Sequence, residues 1–121
     1  MAPIVVIGHL ITSTPSARRT LITELAKISF YSLASEPDVV KYAITVPRDP
    51  ADETSIYVVE QYRTQAALTT HMSSPAVSSI LSFFAANPSL LAGPGKVYTM
   101  DHQSGYTSPS AARASDAVIA F

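Results

Sequence analysis

Residues 56–81 read IYVVEQYRTQAALTTHMSSPAVSSIL. The beginning of this stretch alternates, and one face of the extended chain would carry Ile56, Val58, Glu60 and Tyr62. Thr64 can cap a helix, and Ser74 followed by Pro75 is the usual pairing of a cap with proline at the first helical position. The stretch therefore predicts a strand that runs into two helices, with His71 close to the joint between them.

The remainder of the chain supplies three more strands and one long helix. Residues 3–11 are rich in valine and isoleucine, as in a central strand, and apolar residues then recur every three to four positions over residues 15–33. Residues 39–47 alternate, and a polar loop joins them to the strand at 55–63, which predicts a hairpin. A loop with glycine and proline leads to a last strand at residues 96–101.

The predicted order of elements is strand, helix, strand, strand, helix, strand. This is the ferredoxin-like split βαβ arrangement of the α+β class, a four-stranded antiparallel sheet with helices on one face. The other face of the sheet needs a cover, and two sheets packed face to face in a twofold dimer would provide one. We therefore expect a homodimeric α+β barrel.

The length of 121 residues suits one domain, which we place in residues 1–101. The tail, residues 102–121, is rich in serine and alanine but ends in four apolar residues. It is expected either to be disordered or to dock on the partner subunit.

Composition excludes several classes of function. The chain has no cysteine, so disulfides, thiolate nucleophiles and cysteine-ligated metals are impossible. Its 8 basic and 9 acidic residues form no basic run, which argues against nucleic acid as a partner. The apolar run at residues 4–11 falls far short of the ~20 residues that span a bilayer and has no basic leader, so we expect a soluble, cytoplasmic protein without a membrane partner.

A family resemblance rests on four short motifs. They are YVVEQYR at 57–63, AAL at 66–68, HM at 71–72 and SP at 74–75. Together they resemble the antibiotic-biosynthesis monooxygenase family of dimeric α+β barrels, over roughly residues 3–101. In that family a strand ends in glutamate followed by an aromatic residue, usually tryptophan, and a histidine precedes the next helix. Glu60, Tyr62 and His71 stand at these places.

The resemblance implies a fold more than a reaction, because this architecture hosts oxygenases, haem-degrading enzymes, cyclases, decarboxylases, isomerases and proteins without known chemistry. Two departures from the family pattern matter. Tyr62 replaces the usual tryptophan, and Ile80 lies about where haem-degrading relatives carry their axial histidine. The chain also has no glycine-rich phosphate loop and no spaced metal ligands, so we expect no cofactor and no metal.

His71 and Glu60 are the candidate catalytic residues. His71 shares a helix face with Ala67 and Leu68, so its imidazole should point between helix and sheet. Imidazole has an ordinary pKa of ~6.5, and a group of this kind is suited to removing a proton from a phenol, an enol or an activated carbon. Glu60, a half-buried carboxylate, could orient His71. The alternatives are a structural histidine bonded to Glu60 or to backbone, and an ion pair of Glu60 at the rim of the barrel.

Five residues are candidates for binding the substrate. They are His9, Tyr42, Tyr62, Phe84 and Tyr98. The aromatic members could line a pocket for an aromatic ring, with the phenols supplying hydrogen bonds, although aromatics at such spacing also build cores. His9 interrupts an apolar strand near the place where some relatives carry a substrate-binding asparagine, and its alternative role is a contact at the dimer interface.

The resemblance implies a cofactor-independent monooxygenase that acts on an aromatic or polyketide-derived small molecule in secondary metabolism. A second possibility is a non-oxidative cyclase, decarboxylase or isomerase on a similar substrate. A third is a non-catalytic ligand-binding barrel in which His71 is structural.

Overall fold

The predicted elements are present, and their bounds agree with the predicted ones to within two residues. The computed structural model describes residues 3–107 and 119–120. Its elements are β1 (Ile4–Ile11), α1 (Pro15–Ser35), β2 (Val39–Thr45), β3 (Ser55–Tyr62), α2 (Gln65–Met72), α3 (Pro75–Ala86), β4 (Lys96–Asp101), β5 (Tyr106–Thr107) and β6 (Ile119–Ala120). Most of the tail lies outside the described residues, apart from the pairing of β5 with β6.

The four long strands form one antiparallel sheet in the order β2-β3-β1-β4. This order and the hairpin of β2 with β3 confirm the ferredoxin-like α+β fold. A shift in register between Val39 and Lys41 interrupts β2, so that Val39 and Tyr42 both reach the hydrophobic core although strict alternation would separate them. The same pairing sets Tyr42 directly opposite Glu60 of β3.

The helices cover one face of the sheet and bury two apolar clusters there. The larger cluster contains Leu21, Leu25, Ile28, Ile56, Val58 and Ile80, and the smaller contains Ile4, Val6, Val39 and Tyr62. In α1 the buried residues follow helical spacing as far as Ser32, which is itself 2% exposed. One further turn along the chain lies Glu36, so the apolar stripe of α1 ends in two buried polar side chains.

The opposite face of the sheet is apolar in its centre. Ile7 of β1 is paired with Val59 of β3 and with Tyr98 of β4, so these three side chains lie beside one another. Tyr98 is 53% exposed and Met100 is 41% exposed. A cavity of about 550 Å³ opens at this face beside Val5, Ile7 and Met100. In the part of the chain that the structure describes, no helix is long and apolar enough to cross a membrane.

The start of α1 provides a test of local stability. The Thr14 hydroxyl accepts a hydrogen bond from the Ala17 amide at 3.0 Å, and Pro15 occupies the first helical position. Replacement of Thr14 by alanine is expected to lower the free energy of unfolding by about 1 kcal/mol, because this amide loses its partner. Urea unfolding measures the change. Thr20→Ala, an exposed threonine inside the same helix, is the control, and an equal effect of both substitutions would contradict a role for the cap.

Candidate active site

His71 lies in the last turn of α2, between the helix and the sheet. The Thr64 hydroxyl caps this helix by accepting a hydrogen bond from the Ala67 amide at 3.1 Å. Ala67 and Leu68 then pack on the smaller core cluster. This packing carries His71 inward, and the residue is only 2% exposed. The predicted direction of the imidazole is therefore confirmed.

One ring nitrogen of His71 faces the end of α1. Nδ1 lies 2.9 Å from Glu36 Oε1, and the Ser32 hydroxyl donates to the same carboxylate oxygen at 2.8 Å. Ser32 Oγ is also 3.4 Å from Nδ1. Both side chains of the His71–Glu36 pair are more than nine-tenths buried. The pair is thus shielded from water. Hydrogen bonds and electrostatic interactions are stronger in such an interior than in solvent.

The other ring nitrogen faces the sheet. Nε2 lies 3.8 Å from Glu60 Oε1, a little beyond hydrogen-bonding distance, and the Tyr62 hydroxyl donates a short hydrogen bond to that same oxygen. The ring centres of Tyr42 and Tyr62 lie 5.8 Å and 5.4 Å from that of His71. His71 therefore stands between two carboxylates, with two phenols beside it.

Burial shapes the acidity of these groups. It raises the pKa of Glu60 above its ordinary value of 4.5, although the hydrogen bond from Tyr62 and the proximity of His71 act in the opposite direction. Burial also raises the pKa of Tyr42 and of Tyr62, and the negative charge of Glu60 adds to both effects. Both phenols therefore stay protonated at neutral pH and can donate hydrogen bonds, while Glu60 is a stronger base than an exposed carboxylate.

The predicted substrate-binding residues divide between the two faces of the sheet. Tyr42 and Tyr62 lie beside His71, and Phe84 packs against the larger core cluster. His9 and Tyr98 lie on the opposite face, where His9 stacks on Tyr57 with ring centres 4.2 Å apart. Its Nε2 atom is 3.2 Å from Ser55 Oγ. The sheet itself separates His9 and Tyr98 from the cluster around His71.

Glu36 is the residue of this site that the sequence analysis missed. The signal was present, because the buried positions of α1 at Leu25, Ile28 and Ser32 continue after one more turn to Glu36. The predicted helix ends at residue 33, whereas α1 extends to Ser35 and is followed directly by Glu36. Within residues 3–107, no group of three side chains is arranged to hold a metal ion.

Comparison with known proteins identifies the family. Residues 3–81 match the family model described as antibiotic biosynthesis monooxygenase. The chain belongs to this family. The match confirms the family resemblance that the motifs within residues 57–75 indicated. No curated protein sequence matches the chain.

Solved structures share the fold of this monooxygenase family member at low sequence identity. A protein from Caulobacter crescentus is 20% identical with a TM-score of 0.73, and the match covers 85% of this chain and 92% of that one. Rv0793 from Mycobacterium tuberculosis is 24% identical with a TM-score of 0.68, covering 85% and 97%. NE2512 from Nitrosomonas europaea, described as a protein of unknown function, is 14% identical with a TM-score of 0.68, covering 88% and 94%. The fold alone therefore does not assign a reaction.

Proposed function

We propose that the chain is a cofactor-independent monooxygenase that acts on an aromatic or polyketide-derived small molecule in secondary metabolism. Membership of the antibiotic biosynthesis monooxygenase family supports the oxygenase part of this proposal. The observation that carries it is the buried pair formed by Glu60 and His71, with 3.8 Å between Oε1 and Nε2 and a raised pKa on the carboxyl group. A base of this kind, placed next to phenols, is suited to removing a proton from a weakly acidic substrate.

Glu60 is the member of the pair that meets the substrate. Its side chain is 13% exposed, whereas that of His71 is 3% exposed. Oε1 of Glu60 accepts the hydrogen bond from Tyr62, and Oε2 takes no part in that bond. Oε2 can therefore accept a proton from a phenol or from the CH₂ group of an anthrone-type ring. The raised pKa of Glu60 makes this transfer easier than it would be for an exposed carboxylate.

His71 receives the proton next. Rotation of the protonated carboxyl group exchanges its two oxygens, so that Oε2–H takes the place of Oε1, which lies 3.8 Å from Nε2, and a small movement then completes the hydrogen bond. The imidazolium that forms when the proton is transferred is stabilised by the carboxylate of Glu36 at Nδ1. Glu60 is then ionised again. The substrate anion remains in the site with its proton stored on the protein.

Dioxygen is reduced by the substrate anion. With an anthrone-type substrate, an electron passes from the carbanion to dioxygen, and the two radicals combine to form a C–O bond. The proton stored on His71 returns through Glu60 to the peroxide anion, and the hydroperoxide loses water to leave a quinone. One oxygen atom therefore enters the product, and the other leaves as water with both hydrogens of the CH₂ group. The pKa of Tyr42 is raised, so its hydroxyl keeps its proton and can donate a hydrogen bond to the developing oxyanion.

Dioxygen uptake tests the function. The purified protein is incubated with a hydroxylated anthrone, a naphthol and a simple phenol, with and without dioxygen. We expect uptake of one dioxygen per substrate consumed, and no turnover without dioxygen. Conversion that proceeds equally well in its absence would instead support a non-oxidative cyclase, decarboxylase or isomerase. Binding without conversion by the protein would support the ligand-binding barrel.

We further propose that the active protein is a homodimer joined through the open face of the sheet. The apolar group of Ile7, Val59 and Tyr98 supports this proposal, because stable interfaces have an apolar core. Ile7→Lys is expected to turn a dimer into a monomer, measured by sedimentation equilibrium. Leu81→Lys, which alters an exposed leucine of α3, is the control. A monomeric native protein, or an Ile7→Lys variant that still dimerises, would contradict the proposal.

A further inference from the structure

We propose that Glu36 is a positioning residue, which holds the proton of the His71 ring on Nδ1 and so leaves Nε2 free to receive the proton from Glu60. This inference rests on the proposed function, because a free Nε2 matters only if Glu60 passes a proton to it. The tautomer of the ring can nevertheless be measured without any substrate. The geometry on which it stands is the contact of 2.9 Å between Glu36 Oε1 and His71 Nδ1.

The position of Glu36 is unfavourable for a carboxylate. Its amide bonds the Ser32 carbonyl at the C-terminal end of α1, where the helix dipole is negative, and the last turn of α1 contains no basic residue. Glu36 is 8% exposed, and its Oε2 atom is buried without a hydrogen-bond partner among the described residues. Each of these features costs stability. The compensating interactions are the hydrogen bond from the Ser32 hydroxyl and the contact with His71.

The hydrogen bonds around Glu36 decide which nitrogen of His71 carries the proton. When the carboxyl group of Glu36 is ionised, it only accepts hydrogen bonds, and the Ser32 hydroxyl already donates its one proton to Oε1. The Nδ1 atom must therefore be the donor in its contact with Glu36. In a neutral imidazole the other nitrogen is then unprotonated, and this nitrogen, Nε2, is the one that faces Glu60.

The opposite tautomer would block the proposed proton transfer. With its hydrogen on Nε2, the ring could only donate towards Glu60 and would have no free electron pair there to accept a proton. Transfer from Glu60 to His71 would then require a prior loss of the Nε2 proton. Glu36 thus acts through His71, and it does not need to touch the substrate.

Nitrogen NMR of the imidazole ring tests this proposal. In the native protein, at a pH where the ring carries a single proton, we expect that proton on Nδ1 and an unprotonated Nε2 for His71. Glu36→Met removes the acceptor but keeps most of the volume, and it frees the Ser32 hydroxyl, 3.4 Å from Nδ1, to donate to the ring. The expected result is a shift of the ring to the Nε2–H tautomer. Glu24→Met, on the surface of the same helix and paired with Lys27, should leave the ring unchanged.

The outcomes separate this proposal from the proposed function. A ring with its proton on Nε2 in the native protein overturns the role of Glu36, and this result needs no variant that must fold. An unchanged tautomer in Glu36→Met also overturns it. With an active substrate, we expect Glu36→Met to lower kcat by about 10²-fold or more with little change in KM. Undiminished dioxygen uptake by Glu36→Met would overturn the positioning role but not the proposed function. Absence of uptake by the native protein would overturn the proposed function, and the tautomer measured by NMR would still decide the role of Glu36.

Discussion

Replacement of His71 by alanine is expected to lower the free energy of unfolding by about 2–5 kcal/mol, because it opens a cavity in the core and removes the imidazole that bonds the buried carboxylate of Glu36. The imidazole is the group that stands between the carboxylates of Glu36 and Glu60, at 2.9 Å and 3.8 Å. Without it, the carboxyl groups of Glu36 and Glu60 face one another across a largely buried cavity. The loss is measured by urea unfolding monitored by circular dichroism.

His9→Ala is the matched control for this substitution. His9 lies on the opposite face of the sheet, where it stacks on Tyr57 and contacts the Ser55 hydroxyl. Its removal is expected to cost only about 1 kcal/mol, the usual net contribution of one hydrogen bond. If both variants lost the same free energy of unfolding, the contacts of His71 with Glu36 and Glu60 would add nothing to the stability of the fold.

The fold could be predicted because local patterns and the overall topology agree. The alternation in β3, the capping residues Thr64 and Ser74, and the spacing of apolar residues in α1 all point to the same elements. The order of these elements leaves few arrangements for a single sheet. His71 could be placed for the same reason, since its direction follows from the face of α2 that Ala67 and Leu68 share.

The composition of the site was harder to predict, because it depends on contacts between distant parts of the chain. The side of the sheet on which Tyr98 lies follows from its pairing with Ile7, and no local pattern sets that register. The irregularity between Val39 and Lys41 likewise changes which residues of β2 reach the core. Glu36 is 35 residues from His71 in the chain, so its role became visible only when α1 and α2 were packed together.

The last prediction concerns Glu60, whose replacement by glutamine should stabilise the protein while it removes activity. The pKa of Glu60 is raised in the folded chain, so between its ordinary value of 4.5 and the raised value the folded state binds more protons than the unfolded state. The stability of the native protein therefore falls as pH rises through this window. Glutamine is neutral throughout, and Glu60→Gln should become more stable than the native protein above pH 4.5, as thermal unfolding at several pH values would measure.

The same substitution should lower kcat by about 10²- to 10⁴-fold, because the amide cannot accept the substrate proton. In the native protein, kcat/KM should rise with pH as Glu60 ionises, with a midpoint above 4.5, and this limb should be absent from the residual activity of Glu60→Gln. Glu53→Gln, in the exposed loop before β3, is the control for both measurements. If Glu60→Gln gains stability and keeps full turnover, Glu60 is a structural acid and not the base. If the variant gains stability but loses turnover, the carboxylate destabilises the fold and is needed for the reaction.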